Sequence, residues 1–180
     1  MVEPSAEHHD DVEVIEESSP NTEQVSAEAY WGQIEAKLQT GARWFYWIAG
    51  LSVVNSLISL AEGDRQFIVG LGLTQVVDAI AIGIAQQSPD MALVAKIVAG
   101  VFTFFAATVF VGLGFGSGKR LSWVFVVGMV FYALDGLIYL LAMEWLSLGF
   151  HIFVLTRLFT GFRACRELNA AESEMAAQEV

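Results

Sequence analysis

From residue 43 to residue 162 the chain is almost unbroken apolar sequence, interrupted only by short polar gaps at 62–65, 87–90 and 116–120. A soluble domain of similar length would place polar residues every few positions to face water, and it would carry more charge than this. Hydrophobic residues make up 55% of the chain and charged ones 16%, most of the charge lying outside the apolar stretch. The formal net charge of −11 therefore describes the ends of the chain and not its middle. In hydrocarbon the backbone can be satisfied only by helices or closed barrels. Continuous apolar runs, without ten-residue alternation, select helices. The expected fold is all-α: an integral membrane helical bundle with five transmembrane helices and a disordered acidic N-terminal tail.

A spanning helix needs about 20 apolar residues to cross roughly 30 Å of hydrocarbon. Five segments meet that requirement, at about 43–61, 67–86, 91–115, 121–143 and 145–162. The last is the shortest, and a four-helix count with that segment lying in the interface is the alternative. Trp44, Phe45, Tyr46 and Trp47 open the first span with the kind of aromatic cluster that anchors at a headgroup boundary. Residues 26–42 read as a separate interfacial helix and 163–180 as a soluble C-terminal helix. The first 35 residues hold ten acidic side chains and no Lys or Arg. Residues 1–25 cannot bury enough surface to offset their ordering entropy, so they read as a disordered tail. That tail is either a plain solvated segment or a docking segment for a basic partner. It lacks the basic start and apolar core of a signal peptide. Cys165 is the only cysteine, which rules out an intrachain disulfide or a CxxC motif.

Counting Lys and Arg at the helix ends sets Arg65, Lys119, Arg120, Arg163 and Arg166 on one side against Lys37 and Arg43 on the other, with Lys96 inside a span. By the positive-inside rule the C-terminus faces the cytoplasm of a bacterial inner membrane and the acidic tail lies outside. A faint repeat relates residues 55–60 to residues 135–140, and Gly70-Leu71 to Gly149-Phe150 one residue out of step. A shift of three helices would make it an inverted repeat, a recurrent transporter plan, although common membrane residues produce such matches by chance.

Polar residues at membrane depth are where the sequence points to chemistry, because they are costly there and face the bundle interior. Asp78 lies near the middle of the second segment and Asp135 near the middle of the fourth. Ser52, Asn55, Ser56 and Ser59 share one face of the first segment; Gly128, Tyr132, Asp135, Gly136 and Tyr139 share one face of the fourth. Gln75 and Asp78 share a face of the second, and Ala95, Ala99, Thr103 and Ala107 form a ladder of small residues on the third. Asp78, Asp135, Asn55, Gln75, Tyr139, Lys96 and His151 thus form either an interhelical polar seam that fixes packing or a pathway for protons or a cation. Lys96 is placed to snorkel to the interface, or else to pair with Asp78. His151 reads as a packed helix residue, and a lone membrane histidine cannot provide two haem ligands within one chain.

Enzyme motifs fail on inspection, and no catalytic residues, metal site or cofactor are expected. The stretch from Gly114 to Arg120 misses a phosphate-binding loop, since Leu113 stands where its first Gly belongs and Arg120 where Ser or Thr belongs. Gln75-Val76-Val77 and Tyr132-Ala133-Leu134 precede the two aspartates, where a presenilin-type protease carries GxGD. Phe115 replaces the first Gly of a rhomboid-type GxSG, and no HExxH is present. Residues 44–56 (Trp44-Phe45-Tyr46-Trp47 through Asn55-Ser56) and 70–78 (Gly70-Leu71-Gly72 through Asp78) resemble a group of small bacterial membrane proteins with four or five spans. The resemblance covers residues 43 to about 166 and implies a polytopic bundle, but the group carries no activity to transfer. The expected role is structural or interactive, as an accessory subunit or a homo-oligomer of a membrane complex. A small proton- or cation-coupled transporter or channel is the alternative. The expected partners are the lipid bilayer and either further copies of the chain or another membrane protein, with no nucleic acid.

Overall fold

The computed structural model describes residues 20–62 and 70–178, which form helices joined by short turns, with no strand among the described residues. They are α1 (Pro20–Glu62), α2 (Gly72–Gln87), α3 (Ala92–Gly118), α4 (Ser122–Leu141) and α5 (Trp145–Gln178), with a single 3-10 turn, Pro89–Met91, leading into α3. Four of them, α1, α3, α4 and α5, are long and apolar enough to cross a membrane. The membrane-helical class expected from the sequence is therefore present. The expected second span departs from it: α2 has 16 residues, about 24 Å of helix, short of the roughly 30 Å hydrocarbon layer. Residues 67–69 of that expected span lie outside the described residues, as do residues 1–19 of the expected tail.

Two boundaries expected at the edges of the apolar stretch are absent. No break separates 26–42 from 43–61, because α1 is one helix of 43 residues that already includes residues 20–25 of the expected tail. Its buried positions explain the continuity. Ile34, Leu38, Ala42, Phe45, Ala49, Ser52, Ser56 and Ser59 follow each other at three- or four-residue steps with no change of phase at 42/43. The same holds in α5, where Ser147, His151, Val154, Leu158, Gly161, Cys165 and Leu168 carry one stripe through residue 163. The polar gap at 116–120 is itself helical in part, since α3 continues to Gly118. The turn itself is made by Lys119 and by Arg120, whose φ of 64° is left-handed.

α1 packs between α3 and α5, α4 packs on α5, and α2 lies chiefly against α3. Hydrogen bonds fix which ends meet. Gln39 Nε2 donates to Gly118 O (3.3 Å), Arg120 pairs with Glu35 (2.8 Å), and Asn169 Nδ2 donates to Arg120 O (3.0 Å). The Tyr30 hydroxyl bonds the Glu167 carboxylate. The first half of α1 and the last third of α5 thus lie side by side at one end of the bundle and form a two-helix stalk. At its base Gly41 and Gly161 touch: a Cβ on Gly41 would lie 2.5 Å from the Gly161 Cα, so only glycine permits this crossing. α4 begins at the stalk end, as α1 does. Helices α1 and α4 therefore run in the same direction, which removes the inverted relation from the repeat.

The far end of the bundle holds the end of α1 and the start of α3, where Lys96 Nζ donates to Leu60 O (2.9 Å). α2 ends there too, leading through Pro89–Met91 into α3. It starts, however, beside the middle of the apolar half of α1: Leu71 N–H donates to Ser52 Oγ (3.0 Å). Helix α2 therefore fills only the part of the bundle away from the stalk. On the stalk side the core is aromatic and dry, with Phe45 against Phe110 and Phe125, and Phe110 edge-on to Tyr132.

Candidate functional site

The polar residues gather where α2 begins. A helix start exposes N–H groups that need acceptors, and a capping side chain usually supplies them. Residue Leu71 holds the cap position of α2 and has no side chain that can serve. The acceptor comes from α4 instead. Asp135 Oδ2 receives the Gly72 N–H (2.8 Å) and Oδ1 the Leu73 N–H (2.9 Å), so one carboxylate takes two of the free donors and faces the positive end of the helix dipole.

His151 on α5 completes this first node. Its Nε2 lies 3.0 Å from Asp135 Oδ2 and its Nδ1 lies 3.0 Å from Ser147 O. Both ring nitrogens face oxygen acceptors, whereas a neutral imidazole donates from only one of them. The contact is therefore satisfied when His151 and Asp135 together hold one additional proton, on the ring or on the carboxyl. With that proton the pair carries no net charge, which suits its burial: His151 is 2% exposed and Asp135 8%. The imidazole is stacked on Tyr132, at 4.3 Å between centroids and 11° between planes, and Tyr139 packs on it at 4.9 Å. The Tyr139 hydroxyl donates to Gly70 O (3.1 Å), and Gln75 bonds that hydroxyl. A Cβ at Gly72 would lie 3.0 Å from the Tyr139 ring, so glycine there lets the start of α2 reach the carboxylate.

The second node lies farther along α2, between α1 and α3. Thr103 Oγ1 donates to Ser56 Oγ (3.1 Å), and Ser56 Oγ donates to Asp78 Oδ1 (2.9 Å). Asp78 is fully buried, yet its Oδ2 has no hydrogen-bond partner among the described residues. The same is true of both amide atoms of Asn55, which is 1% exposed and lies against Gly70. Lys96 does not supply a counter-charge, since its ammonium bonds Leu60 O and its side chain is exposed.

Seven residues singled out in the sequence therefore fall into three groups. Asp135, His151, Tyr139 and Gln75 meet at the start of α2. Asp78 belongs to a seam lined by Ser56 and Thr103, and Asn55 lies beside Gly70 where α2 begins. Lys96 stands apart, at the end of α1. The sequence reading missed the pairing of His151 with Asp135; a usable signal was that both fall on the buried stripes of consecutive helices. It also missed Thr103 as a polar member of its ladder. Among the described residues no group of three or more His, Cys, Asp or Glu is placed to hold a metal. Beside the first node an apolar groove of about 590 Å³ opens between α3 and α4, lined by Phe102, Phe105, Val109, Phe131 and Ile138 with Asp135 on its wall. Comparison with family models, curated proteins and solved structures yields no match, so the functional reading rests on this geometry.

Proposed function

We propose that the chain is a multi-pass protein of a bacterial cytoplasmic membrane with a structural or interaction role, as an accessory subunit or a homo-oligomer, and without enzymatic activity. The observation that carries this reading is the stalk. α1 is about 65 Å long, twice what crossing hydrocarbon requires, and α5 likewise extends well past its apolar part. This two-helix projection is tied by ion pairs at its base and presents Trp31 and Met175 beside Glu172. It adds nothing to membrane crossing and is suited to contact another protein. Four crossings with α2 dipping in from the far side, in place of the five expected, accommodate the placement of both helix ends on the stalk side. Seven of the nine Lys and Arg residues (Lys37, Arg43, Lys119, Arg120, Arg157, Arg163, Arg166) then lie at or beyond the stalk end of the bundle. By the positive-inside rule this distribution supports a cytoplasmic stalk, with the C-terminus on the same side. Fluorescent-protein fusions at either terminus, which mature only in the cytoplasm, should both light up; a dark fusion at one end refutes this orientation.

The role itself is tested by extracting the full chain from its native membrane into nanodiscs and measuring mass and composition. A stoichiometric partner or a defined oligomer, lost in Trp31→Glu with the fold intact, is the expected result. A monodisperse monomer with nothing bound would sink the proposal. A second reading, a small proton- or cation-coupled transporter, is favoured by one observation: the unpartnered atoms of Asp78 and Asn55. Its test is flux in proteoliposomes for the wild type against Asp78→Asn.

A further inference from the structure

We propose that the seam formed by Asp78, Ser56 and Thr103 is a binding site for one small monovalent cation, sodium being the natural probe. Asp78 is 0% exposed, and among the described residues its only hydrogen-bond donor is the neutral Ser56 hydroxyl. An ionised carboxyl in that setting needs a positive charge. Among the described residues none is supplied, because Lys96 is engaged at Leu60 and the imidazole of His151 is held by Asp135. A proton on Oδ1 could be donated to Ser56 Oγ and would remove the charge, but it leaves Oδ2 with no partner among the described residues. A cation answers both needs at once. The available donors are all hard oxygens: the Asp78 carboxylate and the Ser56 hydroxyl, with the Thr103 hydroxyl behind it. Hard oxygen donors suit alkali and alkaline-earth ions over transition metals. A single carboxylate neutralises one unit of charge, so a divalent ion would leave an uncompensated charge in hydrocarbon. That selects a monovalent ion.

Binding here rests on the unpartnered Asp78 oxygen that also favours the transport reading, but it needs no pathway, so absence of flux and absence of binding are separate results. The test is equilibrium binding of radiolabelled sodium to the full chain in nanodiscs, with choline holding ionic strength constant. Saturable binding displaced by unlabelled sodium is expected, weakened about tenfold or more in the nearly isosteric Asp78→Asn, which removes the only charged ligand. Sodium should also raise the melting temperature of the wild type but not of Asp78→Asn. Should Asp78→Asn not fold, Ser56→Ala serves in its place, with weakened sodium binding expected. Absence of saturable binding to folded wild type overturns the proposal, as does undiminished binding by both variants. So does an infrared carboxylic-acid band that is unaffected by sodium and vanishes in Asp78→Asn, since that assigns a proton to the site.

Discussion

Two aspartates at membrane depth in this protein live under opposite conditions. Asp135 accepts two backbone N–H groups and lies against an imidazole, so both of its oxygens are in use and its charge is matched. Asp78 accepts one hydroxyl, and among the described residues its other oxygen has no partner and no cation lies beside it. Both are buried, and burial alone therefore does not separate them. What separates them is whether the fold has consumed the group's hydrogen-bonding capacity. A consumed carboxylate belongs to the architecture. An unconsumed one is available to something outside the chain.

The comparison breaks most readily at Asp135. Asp135→Ala removes the acceptor for Gly72 and Leu73 and strands His151, so three donors lose their partner in one step. Removing one member of a buried pair costs about 3–5 kcal/mol. Unfolding of the purified chain in a mixed-detergent titration should show a loss of that size, with α2 the first helix to lose protection from hydrogen exchange. A loss under about 1 kcal/mol would mean that the cap is dispensable and that Asp135, like Asp78, is held for another purpose. The next effect concerns the pair itself. A double-mutant cycle with Asp135→Asn and His151→Phe should return a coupling of roughly 1–3 kcal/mol, the range for residues sharing a buried network. Additive losses would dissolve the first node into two separate contacts.

A smaller step tests the rest of the anchor. Ser52→Ala leaves the Leu71 N–H without its acceptor, and about 1 kcal/mol of stability should go with it. Measured in the same titration, this loss should be additive with Asp78→Asn, because the two sites share no partner. Strong coupling between them would mean that the two nodes form one network and that the contrast drawn between them fails.

Much of this was legible in the sequence, and what was not has a physical cause. The apolar stretch announces membrane helices, and three- or four-residue spacing places Ser52, Asn55, Ser56, Asp135 and Tyr139 on buried faces, where the structure has them. Hydropathy alone did not give the length of α2. The apolar run around α2 is as long as a span, and the contact of Leu71 with Ser52 shows that the helix starts beside the middle of the apolar half of α1. The cap was hidden for a related reason: it lies 63 residues away, from Asp135 to Gly72, so no local motif around α2 encodes it. Gly70 and Gly72 flanking Leu71 were the nearest sign, because paired glycines mark places where other groups approach the backbone closely. Composition likewise set the boundary of the first helix too late. The stripe from Ile34 to Ser59 changes from apolar to hydroxylic without changing phase, and phase rather than composition decides where a helix ends.

The smallest expected effect is the sharpest test of the comparison. Asn55 buries two amide atoms that no described residue bonds, and an unsatisfied buried polar group costs about 1–3 kcal/mol. Leu has the same branching and number of side-chain heavy atoms, with bulkier ends, and carries no such group. If Asn55 has nothing to bond, Asn55→Leu should leave stability unchanged or raise it by up to about 1 kcal/mol when measured in choline, without sodium. In saturating sodium the difference should stay the same, because ion-linked stability comes from the Asp78 seam while Asn55 lies beside Gly70. Stability that falls equally in both media would show that Asn55 is a packing residue with a partner inside the bundle. Asn55 would then resemble the Asp135 node, its bonding capacity consumed by the fold.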